Sequence, residues 1–385
     1  MNKVSVWVLA ALLVPVAATA MTNQEAEKRN YEAFHGNPFA LANLQLAAGE
    51  GDANAEAWLG AYYEGMHHYK QGLTWLEKSV AHKNAAGEAL LGYAYYRGQG
   101  VPRDFTRAIN WWQKAAKRGV AFAEDCLGTS YAKGQGVPQN YAKANYWWEK
   151  AAKDGNADVE NNLGLAYHRG YGVPQDYAKG NYWYQKAAEQ GNAVAEYNLG
   201  NAYQFGQGIP QNSAKAARWY LKAAEQGYAD AEYNLGVAYN GGHGVPQDFV
   251  NANYWYRKAA EQGFAKAEYN LGGAYQYGQG IPQNYAKADY WFRKSAEQGY
   301  AKAENNLGLA YHRGYGVPQD YAKGNYWYQK AAEQGSLVAE FNLGIAYYKG
   351  EGVPQNSMTA LHWLKKAAAK GYQPAERAIQ IIERG

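Results

Sequence analysis

The chain has 385 residues and a formal net charge of +4, with 44 glycines, 37 tyrosines and 13 tryptophans. So small and dispersed a positive charge argues against binding that relies on attraction to nucleic acid phosphates. Cys126 is the only cysteine, which excludes an intrachain disulfide. The fold must therefore be stabilised by packing between its own elements. We interpret Cys126 as a small packing residue rather than a reactive thiol.

Residues 1–20 have the pattern of a secretory signal peptide. Lys3 supplies the positive start, an apolar run follows from Val4 to Val16, and Ala18-Thr19-Ala20 is a small-residue cleavage site. The apolar run is shorter than the roughly 20 residues that span a bilayer. The sequence thus predicts a periplasmic or secreted protein with no stable membrane insertion after cleavage. An uncleaved membrane anchor is the alternative.

The rest of the chain is organised as an array with a 36-residue period. We assign residues 21–52 to N-terminal capping helices, 53–371 to about nine repeats and 372–385 to a C-terminal capping helix. Self-similarity at such a period is typical of solenoids, which are stacks of one small helical or strand unit. A Leu-Gly pair marks each full repeat, and its glycines are Gly92, Gly128, Gly164, Gly200, Gly236, Gly272, Gly308 and Gly344.

Residues 195–230 show how one repeat folds. Apolar residues three and four apart predict a first helix, called the A helix, that runs to about Gly206. Pro210 prevents its continuation, Asn212 offers an N-cap to a second helix, called the B helix, and Gly227 ends that helix. Asp or Asn stands at the position of Asn212 in the other full repeats, as Asp104, Asn140, Asp176, Asp248, Asn284, Asp320 and Asn356. The predicted fold class is all-α, an α/α superhelical solenoid of helix-turn-helix repeats.

The glycine inside each A helix needs a reason, since glycine costs about 1 kcal/mol relative to alanine there. We expect it to permit close approach of the B helix, with the ring of Trp219 lying against Gly200. A single helix pair leaves apolar faces uncovered, so each repeat depends on its neighbours.

Residues 161–191 are identical to residues 305–335, four repeats later. Surface positions are copied along with buried ones, so we interpret the match as a recent segmental duplication. Two identical surface patches are expected four repeats apart.

The repeated pattern resembles a known family. Leu-Gly-x-x-Tyr-x-x-Gly-x-Gly-Val-Pro, followed by Lys-Ala-x-x-Trp-Tyr-x-Lys-Ala-Ala-x-x-Gly, is similar to Sel1-like repeats, which are relatives of tetratricopeptide repeats. The resemblance covers about residues 53–384. It implies a superhelix whose concave surface is lined by A helices and serves as a scaffold for a protein or peptide partner. We expect this protein to be non-catalytic and monomeric.

Exported bacterial members of that family include proteins that promote host-cell entry and cysteine-rich proteins that bind penicillin-like compounds. This chain resembles the first group more closely, because it lacks the paired cysteines of the second. The resemblance therefore implies a role in host-cell entry or virulence. The alternative is a weak cell-wall-related hydrolase or a penicillin-binding protein of the β-lactamase-like type.

Four A-helix positions vary between repeats, and in tetratricopeptide repeats the corresponding positions face the ligand groove. They are the residue two before the leucine, the residue after the glycine, and the fourth and fifth residues after the glycine. From these positions we select as partner-binding candidates Tyr197, Tyr233, Tyr269, Asn201, His168, Gln204, Asn240, Gln276, His312, Arg169 and Arg313.

Asparagines stand directly before the leucine in most repeats and form a predicted ladder, which consists of Asn162, Asn198, Asn234, Asn270, Asn306 and Asn342. An amide has both donors and an acceptor, so the ladder suits the backbone of an extended peptide. It suits equally well hydrogen bonds that only stabilise the stack, and the sequence leaves both interpretations open. A glutamate ladder that includes Glu196 and Glu232 is interpreted as structural, and the lysines three residues after each tryptophan as a solvated face of the B helices.

No residue pattern predicts catalysis, a cofactor or a metal site. His67 and His68 are adjacent, so they diverge on a helix, and no His-Glu-x-x-His or Cys-x-x-Cys pattern accompanies them. The glycine-rich loops lack the Lys-Ser/Thr of a phosphate-binding loop. Some helical repeats read RNA, but the predicted export and weak charge argue against a nucleic acid partner.

Overall fold

The computed structural model describes residues 20–384, so the predicted signal peptide lies outside the described residues apart from Ala20. Within them the chain forms 21 α-helices and one 3-10 turn, without strands. None of these helices combines the length and the apolar character needed to cross a membrane. The predicted all-α solenoid of paired helices is confirmed. The chain divides after Trp183 into two compact units.

The first unit is a succession of helices, and from Asn23–Phe34 to Ala157–Arg169 each helix packs against the next. The B helix that ends the second full repeat is short and continues into a 3-10 turn at Ala152–Asp154. The boundary between the units falls inside the last helix of this series. The helices are Asn23–Phe34, Pro38–Gly49, Ala53–Gly65, Tyr69–Ala81, Ala85–Arg97, Phe105–Lys117, Ala121–Lys133, Tyr141–Ala151, Ala157–Arg169 and Tyr177–Glu189.

The second unit alternates A and B helices of 13 residues and ends with a 12-residue helix. Each A helix packs most extensively against the B helix that follows it. The helices are Ala193–Phe205, Ser213–Glu225, Ala229–Gly241, Phe249–Glu261, Ala265–Tyr277, Tyr285–Glu297, Ala301–Arg313, Tyr321–Glu333, Leu337–Lys349, Ser357–Ala369 and Gln373–Arg384.

The predicted helix ends are confirmed. The A helix that begins at Ala193 ends at Gly206, which has a left-handed φ of 66°. The side-chain oxygen of Asn212 accepts a hydrogen bond from the backbone N–H of Lys215 at 2.9 Å, and so satisfies a free donor of the B helix. The equivalent Asp or Asn caps its helix in the same way in each of the other full repeats.

The second glycine of each loop lies against the preceding repeat. A Cβ atom on Gly244 would overlap the backbone of Ser213, where the preceding B helix begins, and φ at Gly244 is 76°. The loop can approach this closely because glycine has no side chain and tolerates a left-handed backbone. The loops that contain Gly136, Gly172, Gly280, Gly316 and Gly352 lie in the same way on the first turn of the B helix before them.

The close approach at the A-helix glycine is confirmed, but the expected ring is wrong. A Cβ atom on Gly200 would lie 2.7 Å from Cδ1 of Tyr220, so Tyr220 and not Trp219 covers the glycine. Tyr220 is 4% exposed, whereas Trp219 is half-buried beneath the ammonium group of Lys222, 4.3 Å from the ring centroid. Adjacent helix positions differ by about 100° in direction, so only one of the two rings faces the glycine. Burial of such a ring contributes roughly 1.5–3 kcal/mol.

The glutamate ladder is structural, as predicted. Glu196 is buried and accepts a 2.8 Å hydrogen bond from Nε2 of Gln226, at the end of the B helix in the same repeat. The same 2.8 Å bond recurs at Glu232, Glu268 and Glu304. Burial raises the pKa of all four carboxyls. In these four repeats the bond therefore joins the start of the A helix to the end of its B helix.

The second full repeat departs from this pattern at the equivalent pair. Glu124 is buried, but the residue at the glutamine position is Asp154, which is an acid and lies in the 3-10 turn. Burial raises the pKa of Glu124, and the nearby Asp154 carboxylate raises it further. The repeat thus replaces a hydrogen bond with repulsion between two carboxylates.

Cys126 is half-buried beside the core of the second full repeat, and burial raises the pKa of its thiol. A thiol with a raised pKa forms little thiolate, which agrees with the predicted packing role. The lysines of the B helices are more than a solvated face. The Lys114 ammonium lies 3.9 Å from the Trp111 ring centroid, and that of Lys366 lies 4.4 Å from the Trp363 ring centroid.

Candidate protein-binding face

The predicted asparagine ladder is half-buried along the A helices. Nδ2 of Asn234 lies 3.5 Å from Oδ1 of Asn201 in the preceding repeat, and that same oxygen accepts a 2.7 Å hydrogen bond from the Tyr220 hydroxyl. Nδ2 of Asn342 donates to Oδ1 of Asn305 at 3.3 Å. Asn234 and Asn342 therefore contribute contacts between repeats, and the half-buried state of the ladder keeps part of each amide at the surface.

The candidate tyrosines Tyr197, Tyr233 and Tyr269 are also half-buried. Tyr233 packs against Phe264 at 5.1 Å between ring centroids, and Tyr269 packs against Tyr300 at 5.3 Å. Each of these rings lies against an aromatic residue that begins the next repeat. One part of the ring thus belongs to the core, and the other part is accessible.

The two candidate histidines have matching local surroundings within the duplicated segments. Nε2 of His168 lies 3.0 Å from Oδ1 of Asn181, and Nε2 of His312 lies 2.9 Å from Oδ1 of Asn325. Both imidazoles are half-buried, and burial lowers the pKa of His168. Each histidine is thus held by its own hairpin, with limited freedom to follow a ligand.

The remaining candidates differ in exposure. Gln204 and Gln276 are half-buried, whereas Asn240, Arg169 and Arg313 are exposed. In the second unit the position equivalent to Arg313 also carries two prominent aromatic side chains, because Phe205 is 67% exposed and Tyr277 is 68% exposed. These two residues were not selected from the sequence, although they occupy one of its four variable positions.

A cleft of about 540 Å³ opens beside Ala301–Arg313 and Leu337–Lys349 in the second unit. It brings together the candidates His312, Arg313 and Asn342, and it does not include the other candidates. Four more lining residues occupy variable positions that were not selected, namely Leu309, Phe341, Ile345 and Lys349. The loop and B-helix residues Gln319, Tyr321, Tyr328 and Glu351 complete the lining.

Sequence reasoning missed Glu351 because the comparison of repeats was confined to the A helix. The loop position of Glu351 holds Gln207, His243, Gln279 or Tyr315 in the preceding repeats, so an acid there is unusual within this chain. Nδ2 of Asn325 donates a 2.6 Å hydrogen bond to the backbone oxygen of Glu351 and fixes the loop. The carboxylate of Glu351 is therefore held at the cleft.

The charges around the cleft are unbalanced. The Lys349 ammonium lies 3.6 Å from the Glu351 carboxylate, and Nδ1 of His312 lies 4.0 Å from it. Arg313 is exposed and makes no ion pair with any described residue. Burial raises the pKa of the Tyr328 hydroxyl at the cleft. The cleft thus combines a small apolar patch with one uncompensated cation. In the described part of the chain no three His, Cys, Asp or Glu residues are arranged to hold a metal ion.

Comparisons with known proteins identify the architecture. The chain is 33% identical to c5321, a protective antigen of uropathogenic Escherichia coli with an SLR fold, and the crystal structure gives a TM-score of 0.80 over 92% of this chain and 78% of that one. It is 34% identical to a Sel1 repeat protein from Oxalobacter formigenes, with a TM-score of 0.57 over 62% of this chain and 96% of the other. A search of curated proteins gave no match.

The repeat pattern itself gives the most direct assignment. The Sel1 repeat matches eight successive segments, which are residues 85–120, 127–156, 157–192, 193–228, 229–264, 265–300, 301–336 and 337–372. The shortened match at 127–156 coincides with the repeat that contains the 3-10 turn. The chain therefore belongs to the Sel1 repeat family.

Proposed function

We propose that this protein is a non-catalytic, monomeric scaffold that binds a peptide or protein partner along the exposed A-helix face. One observation carries the proposal. The four positions that vary between repeats lie at or near the surface of the A helices, while the repeating Ala, Leu and Gly positions of the same helices are buried in the core. Variation on an accessible face is what a recognition surface needs, because each repeat can contact a different part of the ligand.

The family supports this proposal, since Sel1 repeat solenoids are typical of protein-interaction scaffolds and generally non-catalytic. The proposed site comprises the asparagine ladder and the candidate side chains beside it. We further propose that residues 1–20 direct export to the periplasm or beyond and that the partner belongs to a host or to the bacterial envelope. The similarity to a protective antigen supports a protein that a host encounters.

A triple substitution tests the face. Asn198, Asn234 and Asn270 are changed together to Ala, and the partner is sought by pull-down from host and envelope lysates with mass spectrometry. We expect the captured partner to be lost while the cooperative helical melt remains. The matched control changes Lys222, Lys258 and Lys294 to Ala on the B helices of the same repeats, and it should retain the partner. Unchanged capture by the asparagine variant would reject the site.

The non-catalytic part of the proposal has its own test. Purified protein is incubated with peptidoglycan fragments and with a chromogenic β-lactam, beside a heat-inactivated control. We expect no turnover above that control. Turnover above it would contradict the scaffold proposal and favour a cell-wall-related enzyme.

A further inference from the structure

We propose that the cleft beside Ala301–Arg313 and Leu337–Lys349 binds a partner segment in which a Glu or Asp side chain stands next to a large apolar side chain. The proposal rests on the proposed scaffold function and assigns a ligand chemistry to one part of that face. The ligand is a peptide segment of a protein partner, recognised through a side-chain carboxylate.

The size of the cleft suits such a segment. Its volume of about 540 Å³ lies within the range of about 300–1,000 Å³ that is usual for pockets that bind ligands. By contrast, the small cavity beside Asp289 has about 10 Å³, which is close to the smallest space that holds a water molecule. The cleft therefore has room for more than one side chain.

The apolar part of the lining is the reason to expect a large apolar side chain next to the acid in the partner segment. Leu309, Phe341 and Ile345 line the cleft and are each half-buried, so part of their apolar surface still faces solvent. The Phe341 ring is held edge-to-face by Tyr372 at 5.5 Å between ring centroids. A large apolar side chain of the partner would remove this surface from water, at about 25 cal/mol per Å² buried.

The charged part of the lining is the reason to expect a Glu or Asp side chain in the partner segment. Arg313 and Lys349 occupy the same position in successive A helices, so both cations lie on one face. Glu351 lies 3.6 Å from Lys349 and compensates one of them, which leaves the guanidinium of Arg313 available. A guanidinium offers a planar pair of N–H donors that matches a carboxylate in geometry as well as charge.

The charge also fixes where along the face the acid binds. The three preceding repeats of the second unit carry Phe205, Gly241 and Tyr277 at the position of Arg313, and none of these is charged. Glu351 would repel a second acid beside the first. We therefore expect a single acidic residue flanked by apolar residues, rather than a polyacidic segment.

The experiment uses the full mature chain and an array of random heptapeptides with acetylated and amidated ends, so that every carboxylate is a side chain. We expect enrichment of peptides with one Glu or Asp next to an aromatic or large aliphatic residue. The best peptide is then labelled and titrated by fluorescence polarisation. Replacing its acid by Gln or Asn should weaken binding about tenfold, which is the usual effect of losing a charged hydrogen bond.

Protein variants locate the binding site. Arg313→Ala should weaken binding of that peptide about tenfold, and Arg313→Lys should weaken it less, because charge remains but the paired donors are lost. Lys302→Ala is the control, since it removes an exposed positive charge from the other end of the same A helix and should leave affinity unchanged. Arg313 is exposed, so its replacement should leave the melting temperature unchanged.

Each outcome decides between the two proposals. Enriched peptides without an acid, or equal binding by the Arg313 variants, overturn the cleft proposal and leave the scaffold function intact. Equal weakening by Lys302→Ala shows a general charge effect and also overturns it. If no peptide is enriched, the cleft proposal fails, and the pull-down with the asparagine variant separately decides the scaffold function.

Discussion

The contact between the two helices of a hairpin is similar in neighbouring repeats, whereas the exposed face of the A helix differs between them. In the repeats that contain Gly200 and Gly236 the glycine faces a tyrosine ring, with distances from a Cβ atom of 2.7 Å and 2.6 Å. On the exposed face the same two repeats share little, since Asn201 is replaced by Val237 and Phe205 by Gly241. The helix contact stabilises the hairpin, and this leaves the face free to vary.

The largest effect is expected when a side chain is added to the glycine between the A and B helices. Gly236→Val should lower the free energy of unfolding by roughly 3 kcal/mol, because the added carbons overlap the buried Tyr256 ring. Gly273→Val on the A-helix face is the control. Nothing lies within 4 Å of a Cβ atom there, so the change should stay within about 0.5 kcal/mol. Equal losses in urea unfolding would contradict the distinction.

The second prediction concerns a buried acid at the contact between a B helix and the loop of the next repeat. Nδ2 of Asn253 donates to the backbone oxygen of Gln279 at 2.6 Å, but the next repeat has Asp289 at the equivalent position. Oδ2 of Asp289 is buried next to Gly316 without a hydrogen-bond partner. Asp289→Asn should restore the bond and raise the free energy of unfolding at pH 8 by roughly 1–3 kcal/mol.

The pH dependence of that gain follows from the pKa of Asp289. Burial raises the pKa from 3.8 to about 7, against an opposing attraction from Arg293. The folded state therefore holds the proton more tightly than the unfolded state, and the protein loses stability as pH rises from about 4 to 7. Asp289→Asn should give much more stability at pH 8 than at pH 5. Equal gains in denaturant titrations at the two pH values would show that Asp289 does not titrate in this range.

A smaller effect is expected where two acids meet. Asp154→Gln should raise the free energy of unfolding by about 1 kcal/mol, since the glutamine replaces repulsion on Glu124 with a hydrogen bond. The reverse change Gln298→Asp removes the 2.8 Å bond to Glu268 and should cost a similar amount. Thermal unfolding gives the melting temperature of both variants. A change in the same direction for Asp154→Gln and Gln298→Asp would refute the explanation.

The smallest effect on stability is expected on the exposed face. Phe205→Ala and Tyr277→Ala together should change the free energy of unfolding by less than about 0.5 kcal/mol, because both rings are about two-thirds exposed. The same double variant should weaken capture of the partner in the pull-down. A clear loss of stability with full capture would place these rings in the core rather than in recognition.

Much of the fold could be predicted from the sequence, because each repeat gives the same evidence again. Asn212 and its equivalents mark the starts of the B helices, and Gly206 marks the end of an A helix. The choice between Trp219 and Tyr220 could not be made, since both belong to one apolar stripe and only the rotation of the helix decides which faces Gly200. The cleft could not be predicted from the sequence either, because its volume depends on side-chain packing and on the loop that carries Glu351.

The loop glycines determine how such a chain can change its length. Gly280 lies against the backbone at Phe249, and Gly352 lies against that at Tyr321, so in these repeats the loop after the A helix fits the B helix before it. A hairpin that meets this requirement accepts any other hairpin of the same kind as its neighbour. Recombination in steps of 36 residues therefore preserves junctions of this kind, and the identical segments 161–191 and 305–335 are the expected trace of such growth.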